Sequence, residues 1–183
     1  MNNKTLNAAI KLAVTAHRHQ FRKDGITPYI SHPFRVCMVL TQIFEVRDPA
    51  ILAASILHDV IEDTATDYDD IVEACGTDVA DIVAALSKDT RIPYTPREAS
   101  YKEQLDASPW QVKLIKLADI YDNIQDALVS RLGINVLDPA QHALEGAQHI
   151  AELTLASTQL HRLLEEHRND WPYLNGTLRE AQQ

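Results

Sequence analysis

Along most of this chain the apolar residues recur at intervals of three and four, the period of an α-helix with one buried side. The pattern predicts a first helix from about Lys4 to His19, with Leu6, Ile10, Ala13, Val14 and His17 on one side. Asp24-Gly25 and Thr27-Pro28 mark residues 21–30 as a loop. Ser31 is placed to cap a second helix, with His32 and Pro33 in its first turn and Val36, Met38, Val39 and Ile43 along it. Asp48-Pro49, Thr95-Pro96, Ser108-Pro109 and Asp138-Pro139 each join a capping side chain to the residue best tolerated at the first helical position. Glu98 would complete a capping box with Thr95. Helices are therefore expected from Asp48, from Pro96 to Leu105, from Pro109 to about Leu132 (ended by Gly133 to Asn135), and from Pro139 to about His167. Two shorter ones, Asp67 to Ala74 and Asp78 to Ser87, flank Cys75-Gly76-Thr77. Lys88 to Tyr94 reads as a polar loop and Trp171 to Gln183 as a tail. With no strand alternation, internal repeat or flexible linker, the expected fold is all-α. It is a single compact domain over residues 1–183, with its motifs in about 6–132 and a C-terminal helix of about 139–168 packed on them.

One stretch departs from the amphipathic pattern. Ile51 to Leu57 is almost wholly apolar, as for a helix buried on every side, and it runs directly into His58, Asp59, Glu62 and Asp63. On a continuous helix, residues four apart share a side, which pairs His58 with Glu62 and Asp59 with Asp63. Four such groups would be costly to bury unpaired, and a divalent cation is one way to stabilise them.

The 183 residues suffice for one well-cored domain, and 45% hydrophobic content with only five Gly argues against disorder. A formal net charge of −9 argues against broad binding to nucleic acid or anionic membranes, yet leaves room for a small anionic substrate held by local Arg, Lys and a metal. Cys37 and Cys75 lack zinc-site spacing and read as buried, reduced thiols. There is no signal-peptide core and no apolar run of membrane-spanning length, so the expected compartment is the cytoplasm.

Among eight histidines, His142, His149, His161 and His167 lie among polar neighbours and read as surface residues, while His17 and His19 could line the core or edge a pocket. His32 is delivered by a loop into a first helical turn, and His58 and Asp119 each end an apolar run. Together with Asp59 they form a two-His, two-Asp set from three helices. Such a set suits an octahedral cation such as Mn2+ with open positions better than tetrahedral Zn2+.

These residues also carry a family resemblance. His32, the His58-Asp59 pair and Asp119 match the H…HD…D pattern of the HD phosphohydrolase superfamily. The stretch from Ala16 to Pro33, with Arg22-Lys23-Asp24-Gly25 and Pro28-Tyr29, resembles the opening of the hydrolase domain of RelA/SpoT proteins. So do Leu57-His58-Asp59 with Glu62-Asp63-Thr64, and Lys116-Leu117-Ala118-Asp119 with Asn123. The resemblance covers about Leu6 to Leu132, without the synthetase or regulatory domains of the long members, and so is to a stand-alone small alarmone hydrolase. It implies an all-helical, Mn2+-dependent enzyme that removes the 3′-pyrophosphate of guanosine tetra- or pentaphosphate. It also implies roles: His32, His58, Asp59 and Asp119 as metal ligands; Glu62 and Asp63 as the groups that orient or deprotonate water; Arg22, Lys23 and Tyr29 lining the nucleotide site; Asn123 on the ribose. The residue types make chemical sense, since phosphoester hydrolysis needs an acidified water and neutralised phosphoryl oxygens.

Two positions depart from the family. A basic residue usually follows the aspartate, and His or Tyr precedes the asparagine; here these are Ile120 and Asp122. Asp122 is expected to bring negative charge near the nucleotide, with Tyr121 as partial compensation. Two other functions therefore stand beside the first: hydrolysis of another nucleotide (an adenine alarmone or a 2′- or 3′-phosphorylated nucleotide), and nucleotide binding without turnover. The expected partner is a small nucleotide, with neither nucleic acid nor membrane. Ile150, Leu153, Leu155, Leu160, Leu163 and Leu164 could pack internally or build a homodimer.

Overall fold

The helix announced by Asp48 forms and becomes the centre of the molecule. In the computed structural model, which describes residues 4–131 and 135–176, the backbone at Asp48 is extended. Its carboxylate accepts from the N–H groups of Ala50 (2.8 Å) and Ile51 (3.3 Å). In chain order the helices are α1 (Lys4–Ala16), α2 (Ser31–Met38), α3 (Pro49–Leu57), α4 (Val60–Asp63), α5 (Tyr68–Cys75) and α6 (Thr77–Leu86). They continue with α7 (Tyr94–Ala107), α8 (Trp110–Ser130), α9 (Leu137–Gly146), α10 (Thr154–Glu166) and α11 (Trp171–Leu174). A π-helical turn, Val39–Ile43, extends α2, and 3-10 turns at Ala151–Leu153 and Arg168–Asp170 join the last helices. Among the described residues the only β pairings are two isolated bridges, Phe21 with Pro28 and Asn135 with Asn175.

Every residue of α3 from Ile51 to Leu57 is buried, which is why it carries no polar face. Helices α1, α2, α6 and α8 enclose it. The 21-residue α8 is the second pillar. Its buried face runs from Val112 to Ala127 and meets α2, α6, α9, α10 and α11. Among the described residues no helix is long and apolar enough to cross a membrane. Replacing Asp48 by Ala removes the cap of α3 and is expected to cost about 0.5–2 kcal/mol, read as a lower urea midpoint at unchanged slope.

Several local expectations are corrected. The first helix stops at Ala16, and Val14 is 44% exposed because the buried stripe runs through Ala9, Ala13 and His17. Ser31 does not cap α2; its Oγ accepts from Arg35 instead (3.3 Å). Met38 is 61% exposed, lying well around the helix from buried Val36, Val39 and Leu40. Thr95 and Glu98 form no capping box, since α7 already starts at Tyr94 after Pro93, and Glu98 pairs with Lys88 (3.0 Å). Ser108 closes the preceding helix, its hydroxyl donating to the Gln104 carbonyl (2.7 Å), and α8 starts two residues later. Asp138 lies inside the first turn of α9, where its carboxylate accepts from Asn135 (2.8 Å).

The long last helix is broken after Gly146, where His149 adopts a left-handed φ of 65° and turns the chain into α10. Glycine supports a helix interior poorly, which favours the break there. Leu153, Leu160, Leu163 and Leu164 pack within the chain, and only Leu155 of the leucines there is 37% exposed. Cys37 and Cys75 are free and half-buried rather than fully enclosed. Arg131, left-handed at φ 52°, ends α8. The expected stop at Gly133 and the tail beyond Gly176 fall outside the described residues.

Candidate active site

The continuous helix expected over residues 51–64 is interrupted where its chemistry begins. Helix α3 ends at Leu57, His58 and Asp59 form a turn with Asp59 at φ −103° and ψ −4°, and α4 resumes at Val60. The Asp63 N–H still reaches the Asp59 carbonyl (2.9 Å), so these two acids stay on one side. The Tyr29 hydroxyl lies between them, 2.6 Å from an Asp59 carboxylate oxygen and 3.0 Å from one of Asp63. Glu62 faces the other way along the rim and accepts from the Lys88 N–H (3.0 Å).

Side chains distant in sequence meet around this turn. His32 Nε2 lies 3.2 Å from an oxygen of Asp119 and 3.7 Å from one of Asp59. His58 Nε2 lies 3.1 Å from Asp59 and 3.8 Å from Asp119. The two imidazoles stand edge to face at 5.1 Å. His58 Nδ1 is 2.8 Å from the Ser55 carbonyl, which only accepts, so Nδ1 carries a proton and Nε2 is the nitrogen turned to the cluster. That Nε2 is buried and has no partner with hydrogen-bond geometry, despite its closeness to Asp59. Donor atoms of His32, His58 and Asp59 lie within 4.8 Å of one another, a set that could hold a metal ion. An orphaned buried nitrogen among carboxylates fits a divalent cation of the kind these ligand types bind.

Electrostatics bind the cluster together. Burial disfavours the charged form of His58, but the carboxylates of Asp59 and Asp119 outweigh it and hold its pKa up at about 9. Burial would raise Asp119, yet Lys116 and the two imidazoles pull it well below the usual carboxylate range. Lys116 Nζ is 2.8 Å from Asp119, and Asn123 donates to the other oxygen at 2.6 Å. Glu62 and Asp63 are both raised, chiefly by burial, which makes each a better proton acceptor than an exposed carboxylate.

The other residues singled out by sequence lie around this cluster. Arg22 donates to Asp126 (2.8 Å) and Asn123 (3.1 Å), so its guanidinium is braced against α8. Lys23 is exposed beside it. Tyr29 stacks on buried His17 at 4.8 Å, whereas His19 is exposed. Asp122 does not face a nucleotide. It is fully buried behind His32, accepting from the ring (Nδ1 at 2.7 Å) and from Arg35. Burial would raise its pKa, but those two donors keep it lowered. Tyr121 offers it no compensation, being packed edge-on against Phe44 at 5.9 Å, and Ile120 is core. His142 and His167 are half-buried, while His149 and His161 are exposed, and none of them belongs to the donor group of His32, His58 and Asp59.

Sequence reasoning assigned no role to Lys116, Arg35, Asp126, Lys88 or Tyr101. Lys88 and Lys116 lie 5.1 and 5.5 Å from the Tyr101 ring centre. They border a cleft of about 360 Å³ that Tyr94, Lys102 and His142 also line.

The loop bearing Arg22 is held by Asp24, which accepts from the Thr27 hydroxyl (2.5 Å) and from the N–H groups of Ile26 and Thr27 (2.9 Å each). These bonds lower the Asp24 pKa from 3.8 to about 2. A depressed carboxylate stabilises the fold above its unfolded pKa and ceases to as pH falls through the folded value. Carboxyl carbon NMR should therefore show Asp24 titrating near pH 2, with the loop amides of Ile26 and Thr27 shifting in the same step.

The HD domain model matches residues 9–131, and the chain belongs to the HD-domain family. Within that family it is similar to guanosine-3′,5′-bis(diphosphate) 3′-pyrophosphohydrolase MESH1 of Homo sapiens, with 38% identity over 119 residues, 64% of this chain and 66% of that protein. It is 35% identical to the protein of the same name from Drosophila melanogaster over 122 residues, 66% of this chain and 68% of the relative. The matched stretch thus spans about two thirds of the length of these relatives. A solved structure described as "A metazoan ortholog of SpoT hydrolyzes ppGpp and plays a role in starvation responses" superposes with a TM-score of 0.79 at 27% identity, covering 90% of this chain and 95% of that one.

Proposed function

We propose that this protein is a metal-dependent (p)ppGpp 3′-pyrophosphohydrolase, converting guanosine-3′,5′-bis(diphosphate) and water to GDP and pyrophosphate. The observation that carries the reading is the meeting of two imidazoles and two carboxylates from α2, α8 and the α3–α4 turn, with a buried His58 nitrogen left for a ligand. The names of the relatives supply the substrate.

His32, His58, Asp59 and Asp119 would hold the cation, Mn2+ in this reading. When bound, a divalent cation acidifies water and neutralises charge on phosphoryl oxygens. Lys116 and Asn123 keep Asp119 ionised and fix its two oxygens. Glu62, lifted by burial, takes the proton of the attacking water, and Asp63, held by Tyr29, orients that water. The water oxygen bonds to the phosphorus attached to the ribose 3′ oxygen. The phosphorus–oxygen bond breaks, and the 3′ oxygen takes up a proton. Lys88, Lys116 and the tyrosines of the adjoining cleft supply charge and ring faces for the nucleotide.

Purified protein stripped with EDTA should release no pyrophosphate from ppGpp, and added Mn2+ should restore release. A second reading, hydrolysis of another 3′-phosphorylated nucleotide, is favoured by the commitment of Arg22 to Asp126, which leaves less cationic charge for a second pyrophosphate. Turnover of an adenine alarmone or a 2′- or 3′-phosphorylated nucleotide, with ppGpp untouched, would replace the first reading by the second. Binding without turnover of any would leave neither.

A further inference from the structure

His58 and His32 are oriented by different means. The Nδ1–H of His58 is held by a main-chain carbonyl, Ser55, which substitution hardly alters. The Nδ1 of His32 is held by a side chain, Asp122, at 2.7 Å. An ionised carboxylate only accepts, so His32 Nδ1 carries a proton, and Nε2, which faces Asp119 and Asp59, is the nitrogen left to ligate a cation. Asp122 is fully buried and cannot swing away. Arg35 grips both of its oxygens, through Nε at 2.7 Å and Nη2 at 3.0 Å, and fixes the plane of the carboxylate. Arg35 is itself anchored to Asp126 (3.2 Å) and Ser31 (3.3 Å).

We propose that Asp122 is a positioning residue that sets the tautomer and ring orientation of His32 for a divalent cation, with Arg35 as its brace. This rests on the metal-site reading above. It also gives a use to a residue that departs from the family pattern: the charge lies behind the ligand rather than against the substrate. A buried ion pair with no orienting role would leave the same contacts but respond differently to substitution.

Asp122→Asn separates the two. Arg35 can only donate, so it claims the amide oxygen, and the amide NH2 is turned to His32 Nδ1. That nitrogen must then accept, the ring proton moves to Nε2, and the lone pair for the cation is lost. The dissociation constant for Mn2+, measured by calorimetry on the full chain, should rise about 10- to 100-fold. Arg35→Met combined with Asp122→Asn frees the amide to turn its oxygen to His32 and should recover most of that loss. An ion pair serving stability alone predicts no recovery, because each substitution adds damage. Wild-type protein that binds no Mn2+ would remove the metal-site reading and the proposal together. Wild-type binding matched by Asp122→Asn, or a loss that Arg35→Met fails to reverse, overturns the proposal alone. Should Asp122→Asn lack helical circular dichroism, Arg35→Met/Asp122→Asn is compared with Arg35→Met/Asp122→Leu, which has similar bulk and no acceptor. Equal Mn2+ affinity in those two also overturns it.

Discussion

Replacing Glu62 by Gln is expected to lower pyrophosphate release from ppGpp with Mn2+ present by about 10²- to 10⁴-fold, the range a positioned general base contributes. The expectation follows from three features of the residue. Burial raises its pKa above the ordinary carboxylate value, which makes it a better proton acceptor than an exposed glutamate. Among the described residues its hydrogen bond comes from the Lys88 N–H, which a Gln carbonyl accepts equally well, so the loop keeps its place. It stands outside the group of donor atoms around His32, His58 and Asp59, so Mn2+ affinity should stay near that of the wild type. Steady-state kcat and calorimetric Mn2+ binding together read the effect. A Gln variant with unchanged kcat would move the proton-accepting role to Asp63.

Lys116→Met is expected to destabilise the metal-free protein by about 3 kcal/mol, the low end for breaking a buried charge pair. Lys116 Nζ lies 2.8 Å from Asp119, with the two side chains 21% and 9% exposed, and the partial exposure of the lysine keeps the cost from the top of that range. Methionine fills the same stem volume beside Tyr101 and leaves one Asp119 oxygen without its donor. Urea unfolding in EDTA measures the loss. Repeating it in excess Mn2+ should narrow the gap between variant and wild type, because a cation held by Asp119 replaces the missing positive charge and favours the folded state by mass action. Equal stability of the two proteins in EDTA would contradict the account of Lys116 as the partner that keeps Asp119 charged.

The residues that meet in the candidate site were legible because each breaks a pattern. His58 and Asp59 end an apolar run too uniform for a surface helix, and Asp119 sits in an apolar stretch of α8. What lies behind the site was not legible. Asp122 is three residues from Asp119 and so shares its side of α8, but its partner Arg35 depends on how α2 crosses α8, which no local period encodes. Read alone, Arg35 is an ordinary helix arginine and Asp122 an unwelcome charge. Cap placement failed for a related reason. A Ser, Thr or Asp before Pro fits a helix start, but Pro93 began α7 earlier and the Ser108 hydroxyl was drawn back to the helix before it. Asp48 behaved as expected: among the described residues its carboxylate is engaged by the first-turn N–H groups of Ala50 and Ile51.

From Ile51 to Leu57 helix α3 has no solvent face, and the candidate site begins at the residue after its last one. The donors at that end are thus hung from the most confined segment of the molecule, while Glu62, Lys88 and the cleft tyrosines stand on its margin. Substitutions along the margin can retune which molecule is admitted without disturbing the anchorage beneath. Any change that loosens α3, however far from the cleft, reaches the donors directly.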